Sequence, residues 1–215
     1  TTGDTEGEVI ASCPVSVDEA QIRAVLRQFE GEITQIPPMY SALKHEGRAL
    51  YELARQGIEV ERKSRKVFIY AVQLRHLMQE GFQMEVSCSK GAYIRVLAED
   101  IGAALGCGAH LTALRRTATA GFRLEDAYTR DALEALNLAE RDALLLPIDS
   151  LLADLPIFMM DEAQKRAVQQ GQPLKVDSIE GRYRLYDTAG DFFGLATVDT
   201  EGRLLSQRLL NTSVF

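Results

Sequence analysis

A chain of 215 residues, 46% of them hydrophobic, has enough apolar material for one large domain or a large one with a small companion. Its net charge of −7, from 24 basic and 31 acidic residues, excludes a wholly basic nucleic-acid binder but allows a local basic patch. No apolar run approaches the roughly 20 residues needed to cross a bilayer, no signal-peptide pattern opens the chain, and Cys13, Cys88 and Cys107 form no CxxC pair, which fits a reducing cytoplasm better than a disulfide framework or a zinc site. From the N-terminus, Glu8–Ser12 reads as a short strand. Ser16 and Glu19 have the spacing of a capping box, and Ile22, Val25, Leu26 and Phe29 then recur at helical spacing until Gly31. The prolines at 37 and 38 make Gln35–Lys44 an extended loop, and Arg48–Gln56 reads as a short helix capped by Gly57.

Two β-prone runs follow, Lys66–Leu77 and Phe82–Cys88, the second alternating apolar and polar residues as a half-buried strand does. A helix is expected from about Tyr93 to Leu105, with Ile94, Leu97, Ile101 and Leu105 on one face, ending at Gly106. Leu111–Thr119 reads as another strand, and Thr129 to about Leu145 as an acidic helical stretch. Pro147 and Pro156 bracket a boundary between two units. Beyond it come a helix over Asp161–Gln170 and three strands, Arg182–Asp187, Phe192–Val198 and Arg203–Leu210.

Three stretches carry chemistry. Ser89-Lys90-Gly91-Ala92-Tyr93-Ile94-Arg95 lies at a strand-to-helix corner, where Lys and Arg supply positive charge, Tyr a stacking face and Gly a close backbone approach. A base-bearing or phosphate-bearing ligand suits that mix, as would a plain solvated turn. Between Lys44 and Lys66 seven basic residues face four acidic ones, and Met39, Tyr40, Lys44, Arg48, Tyr51 and Arg55 interleave apolar, aromatic and basic groups. That pattern suits RNA, whose splayed bases stack on rings while cations meet phosphates; a charged surface insertion is the alternative. Finally, Arg115 and Arg116 would point to opposite faces of the expected strand, so one of them would face the packed side or a cleft, the alternative being a strand end where both reach water. Arg95 and Glu99 have the i,i+4 spacing of a helix-steadying pair. No catalytic triad, Walker loop, GxGxxG or HExxH is present, and the three histidines are scattered.

The segments QIPPMYSALKHEGRALYELARQGIEVERK, SKGAYIRVLAEDIGAALGCGAHLTALRRT and LLPIDS, in that order, resemble the bacterial tRNA pseudouridine-55 synthases of the TruB family. The resemblance runs from Thr1 to about Ser150, and the tail is similar to the family's small PUA-like module. It implies an α+β fold: a mixed, largely antiparallel sheet flanked by helices, an incomplete pseudouridine synthase fold over 1–150 with an RNA-binding insertion at about 35–66, then a β-rich PUA-like module over 151–215. It also implies isomerisation of uridine 55 in the tRNA T loop. The uridine is flipped out, an Asp attacks as the glycosidic bond breaks, and the base turns and rejoins the ribose through carbon. No metal or organic cofactor takes part. The partner is the T-arm stem-loop, and a cytoplasmic monomer is expected.

By motif, the resemblance makes Arg95 the residue that keeps the catalytic Asp ionised. Lys90 and Tyr93 would border the pocket, Leu114 would press on the flipped base, and Arg115 and Arg116 would meet phosphates. Met39, Tyr40, Ser41 and Lys44 would belong to the mobile RNA-gripping insertion. One departure matters: the family's Gly-His-x-Gly-x-Leu-Asp-Pro segment, which carries the nucleophile, is not found in this sequence. The chain is therefore expected to lack an N-terminal part and to be inactive alone, with the acidic partner of Arg95 outside it. A non-catalytic RNA-binding module or degenerate paralogue is the alternative, and a β-rich structural protein a third reading.

Overall fold

The computed structural model describes residues 1–210. Residues 211–215, the end of the expected C-terminal module, lie outside the described residues. By contacts the chain divides into Thr1–Arg115 and Arg116–Phe215, so the expected join near Ser150 falls inside the second unit.

The first unit opens in a turn in which the Thr1 amino group donates to the Glu8 carbonyl at 2.7 Å. The expected strand over Glu8–Ser12 does not form. Val9 and Ile10 are 86% and 80% exposed, and an extended segment with no sheet beside it has no ladder to complete. Helix α1 (Glu19–Gln28) follows, capped by Asp18 rather than Ser16. Asp18 accepts the Gln21 amide and the Gln21 side chain accepts the Asp18 amide, both at 2.8 Å. Asp-x-x-Gln satisfies the same orphan donors as Ser-x-x-Glu, and starting there places Ile22 and Leu26 inside.

Strand β1 (Gly31–Gln35) leads into the proline loop, and a small hairpin, β2 (Lys44–His45) and β3 (Arg48–Ala49), leads into α2 (Leu50–Ala54). The expected helix thus loses its first two residues to the hairpin. Long strand β4 (Arg65–Met78) and β5 (Gly81–Cys88) complete a three-stranded antiparallel sheet in the order β1–β4–β5. A register shift between Ile69 and Ala71 changes the phase of β4. Because of it Ile69, Val72 and Leu74 all face the core, where they meet Ile22 and Leu26 of α1 and Leu97 and Ile101 of helix α3 (Ile94–Leu105). Leu97 is fully buried, and truncating such a residue to Ala removes about 2–5 kcal/mol.

Helix α3 ends as expected at Gly106, in the left-handed conformation at φ 77°. The chain then folds back on its own helix: the Gly108 amide donates to the Gly102 carbonyl at 3.0 Å, and a Cβ at Gly102 would overlap the backbone of Gly108 and Ala109. Beyond this turn the expected strand Leu111–Thr119 is absent as a strand. Leu111 forms an isolated parallel bridge with Asp4, Leu111 N–H donates to Gly3 at 3.0 Å, and only Ala118–Thr119 pairs later. Arg115 and Arg116 are both exposed, so neither faces a packed side. With no neighbouring strand beyond Leu111 there is no packed side to face.

In the second unit the two-residue strands β6 (Ala118–Thr119) and β7 (Phe122–Arg123) form a hairpin, followed by a 3-10 turn over Leu124–Asp126. The single acidic helix expected to Leu145 is two short ones, α4 (Arg130–Glu134) and α5 (Leu138–Asp142). Asn137 breaks it by capping α5, accepting the Glu140 amide at 3.0 Å. Strand β8 (Ile157–Met160) and helix α6 (Glu162–Gln169) follow, then β9 (Leu174–Lys175), β10 (Gly181–Asp187), β11 (Phe192–Val198) and β12 (Arg203–Leu209). The five strands form one sheet in the order β8–β10–β11–β12–β9, antiparallel except for the β8–β10 pair. Met160, Val168, Leu185, Phe193, Val198 and Leu204 fill its core. The fold class is α+β, as expected, and among the described residues no helix is long and apolar enough to cross a membrane.

Candidate RNA site around Arg95

The centre of the first unit's polar chemistry is the start of α3. Tyr93 caps the helix with extended backbone and no side-chain cap. Its backbone is held instead by Gln35, a buried residue at the end of β1. Tyr93 N–H donates to Gln35 Oε1 at 2.9 Å, and Gln35 Nε2 donates to the Tyr93 carbonyl at 3.2 Å. A side-chain amide here completes a β-like bridge that the chain itself cannot supply. The Arg65 guanidinium, cross-strand partner of Gln35, lies 5.9 Å from the centre of the Tyr93 ring. Gly91, at φ 86°, makes the turn that brings the loop beside it.

Two residues on, Arg95 reaches three acceptors. Nη1 donates to the Thr2 carbonyl and to Asp4 Oδ2, each at 3.1 Å, and Nη2 donates to the Tyr40 carbonyl at 2.5 Å. The acidic partner of Arg95 was expected outside this chain; within it, the ion-pair partner is Asp4. Glu99, the candidate helix-steadying partner, packs against Gly3 instead. A guanidinium has five N–H donors, so these contacts leave two, and the Arg95 and Asp4 side chains are each 24% exposed. The Thr2 hydroxyl, donating at 2.5 Å, is the main influence holding the Asp4 carboxyl below its usual range; the Glu6 amide and Arg95 add to it against partial burial.

The proline loop is fastened to the same place. Arg62 Nη1 donates to the Pro37 carbonyl at 3.1 Å, Tyr40 offers its carbonyl to Arg95, and the Tyr51 amide of α2 donates to the Ser41 carbonyl at 3.1 Å. Ser41 is buried and its hydroxyl has no partner among the described residues. Met39 and Tyr40 are half-buried. Of the residues singled out in the sequence, the structure thus gathers Tyr40, Ser41, Tyr93 and Arg95. Lys44 lies in the β2–β3 hairpin, Lys90 in the turn before Tyr93, and both are exposed. Leu114 is 65% exposed and, like Arg115 and Arg116, has no polar or ionic tie to the Arg95 cluster among the described residues. Asp4, Gln35 and Arg65 were missed. Gln35 carried one usable signal, a polar residue closing a strand directly before Ile-Pro-Pro; Asp4 and Arg65 carried none that separates them from ordinary surface charges. Among the described residues no three His, Cys, Asp or Glu side chains come together as a metal site.

This is the fold of a pseudouridine synthase. A chain of a crystallised Cbf5-Nop10-Gar1 complex superposes with a TM-score of 0.68 at 21% identity, over 92% of this chain and 64% of that one. A chain from an H/ACA RNP bound to a substrate RNA containing 2′-deoxyuridine gives 0.65 at 21%, over 93% and 63%. The family profile described as TruB family pseudouridylate synthase (N terminal domain) matches residues 1–94. Those for the tRNA pseudouridylate synthase B C-terminal domain and for pseudouridine synthase II TruB, C-terminal, match 95–153 and 156–210. The tRNA pseudouridine synthase B of Methylobacillus flagellatus is 49% identical over 98% of this chain and 70% of its own length, and that of Thiobacillus denitrificans 50% identical over 98% and 71%. The chain belongs to the TruB family of tRNA pseudouridine synthases. It spans about 70% of the length of those relatives and under two thirds of the solved chains.

Proposed function

We propose that this chain carries the substrate-gripping and Arg95-bearing part of a cytoplasmic synthase that converts uridine 55 of the tRNA T loop to pseudouridine. The observation that supports it most is the Arg95 guanidinium, fixed by Thr2, Asp4 and Tyr40 yet retaining two donors. A guanidinium so held can accept a second carboxylate, and an opposite charge at contact distance keeps a carboxylate ionised and nucleophilic. Asp4 itself serves as the positioning partner of Arg95; the nucleophile is a different Asp. Tyr93 and Leu114 offer apolar surface to the flipped base, with Lys90, Lys44, Arg115 and Arg116 at the phosphates and Met39, Tyr40 and Ser41 in the loop that closes over the T arm.

The test is pseudouridine formation in a T-arm stem-loop by the full-length protein, read by mass or by modification-specific chemistry at position 55. Product at that position is expected, and its absence sinks the proposal. Residues 1–215 alone should bind the stem-loop without turnover. The local Arg95–Asp4 pair favours a second reading, a module that grips RNA without chemistry. Full-length protein that binds the stem-loop and never modifies it would establish that reading.

A further inference from the structure

Among the described residues five Lys or Arg side chains are half-buried: Arg62, Arg65, Arg95, Lys165 and Arg184. Four of them have a carboxylate within 4 Å, respectively Glu59, Asp4, Asp187 and Asp149. The Arg65 side chain has neither an ion pair nor a hydrogen bond among the described residues; the Tyr93 ring centre lies 5.9 Å from its guanidinium carbon. A partly desolvated cation without an anion is costly, and a cation–π contact at such a site returns only about 0.5–1 kcal/mol. Its placement is nonetheless tightly prescribed. Arg65 stands opposite Gln35 in the β1–β4 register, and Gln35 holds the backbone of Tyr93, so one strand end fixes both ring and guanidinium. The positive-φ turn at Gly91 passes beside Nη1, which lies 3.7 Å from where a Cβ of that glycine would stand.

We propose that Arg65 binds an RNA phosphodiester: the backbone phosphate adjoining the nucleotide that lies against Tyr93. The anion this guanidinium lacks among the described residues is supplied by the substrate, whose phosphate oxygens match its planar fork. The inference rests on the RNA-binding part of the proposed function and adds to it a residue that no motif singled out.

Binding of a fluorescent T-arm stem-loop to the 215-residue chain, measured by anisotropy across a salt series, tests it. Arg65→Gln is expected to weaken binding roughly ten- to hundredfold and to lower the slope of log K against log salt by about 0.7, one phosphate contact. Arg65→Lys keeps the charge over the ring, so it should keep the slope while losing at least about threefold in affinity through loss of the fork. Arg65→Gln with wild-type affinity and slope overturns the proposal, whatever happens to its melting temperature, and leaves the RNA reading intact. Should Arg65→Gln fail to fold, full wild-type affinity in Arg65→Lys overturns it instead. A wild-type chain that does not bind the stem-loop removes both the RNA reading and this inference.

Discussion

Each unit contains an Arg–Asp pair set among backbone carbonyls, and the two pairs differ in how deeply they are buried. In the second unit Arg184 donates to Asp149 at 2.8 Å and to the carbonyls of Leu155 and Ala153 at 3.0 and 3.3 Å, while the Tyr186 hydroxyl donates to the same Asp149 oxygen at 2.6 Å. The Asp149 side chain is 4% exposed and that of Arg184 14%. Nε, Nη1 and Nη2 all point at protein, and the network staples the segment before β8 onto β10. In the first unit the Arg95 and Asp4 side chains are each 24% exposed, so that of two guanidinium groups with two donors to spare this is the more accessible. The same pair of residue types is closed scaffold in one place and an open receptor in the other. Burial separates the two; donor count and residue identity do not.

The largest effect should come from breaking the closed pair. Arg184→Met strands a buried carboxylate and should destabilise the second unit by about 3–5 kcal/mol, seen in urea unfolding, with T-arm turnover per folded full-length molecule unchanged. Lost turnover at full folding would show that this network is also functional. Arg95→Ala should act in the opposite sense. The full-length protein should lose about 10²–10³-fold in single-turnover rate with stem-loop affinity within about threefold of wild type. A loss concentrated in affinity would assign Arg95 to gripping rather than chemistry.

Smaller effects sharpen the contrast. Gln35→Met removes both bonds to Tyr93, and amide exchange at Tyr93 should accelerate about tenfold or more, as expected for losing a bridge worth about 1–2 kcal/mol; an unchanged rate would deny Gln35 its role. Lys44→Ala should weaken stem-loop binding a few-fold and flatten its salt dependence by about one contact. Least of all, the open pair should respond to acid in a known direction. The Asp4 carboxyl is held below its usual value, mainly by the Thr2 hydroxyl. The contact therefore contributes fully above the unfolded-chain value of about 3.9 and is lost as pH falls through the lower, folded one. Carbon NMR titration of Asp4 should give a midpoint below about 3.9, and a midpoint at or above it contradicts the bonding described.

The regular elements were legible because their signals are local. The alternation of Phe82–Cys88, the 3.6-residue spacing through Ile94–Leu105 and the terminal glycine at 106 each report on neighbours in sequence, and all three elements formed. The failures needed information from elsewhere. Val9 and Ile10 look like strand, yet no strand lies beside them. Leu111–Thr119 has the composition of a strand, but Leu111 bridges to Asp4, over a hundred residues earlier, and only Ala118–Thr119 pairs with a neighbouring strand. Asn137 looked like one polar residue among many until its side chain proved to be a cap. The candidate site was half legible for the same reason. SKGAYIR announces a corner with charge and a ring, whereas Gln35 matters only because β1 ends opposite Arg65 and beneath Tyr93, a fact of register that no window of residues contains.

One hydrogen atom at position 102 has a long reach. Because Gly102 carries no methyl group, the turn through Gly108 and Ala109 can rest directly on α3. Leu111 then emerges where it can bond Gly3, and the peptide bearing Asp4 is drawn beneath the guanidinium of Arg95. An alanine there would push on this relay at its first link, and the spacing of a charge pair two turns back along the same helix would register the shove.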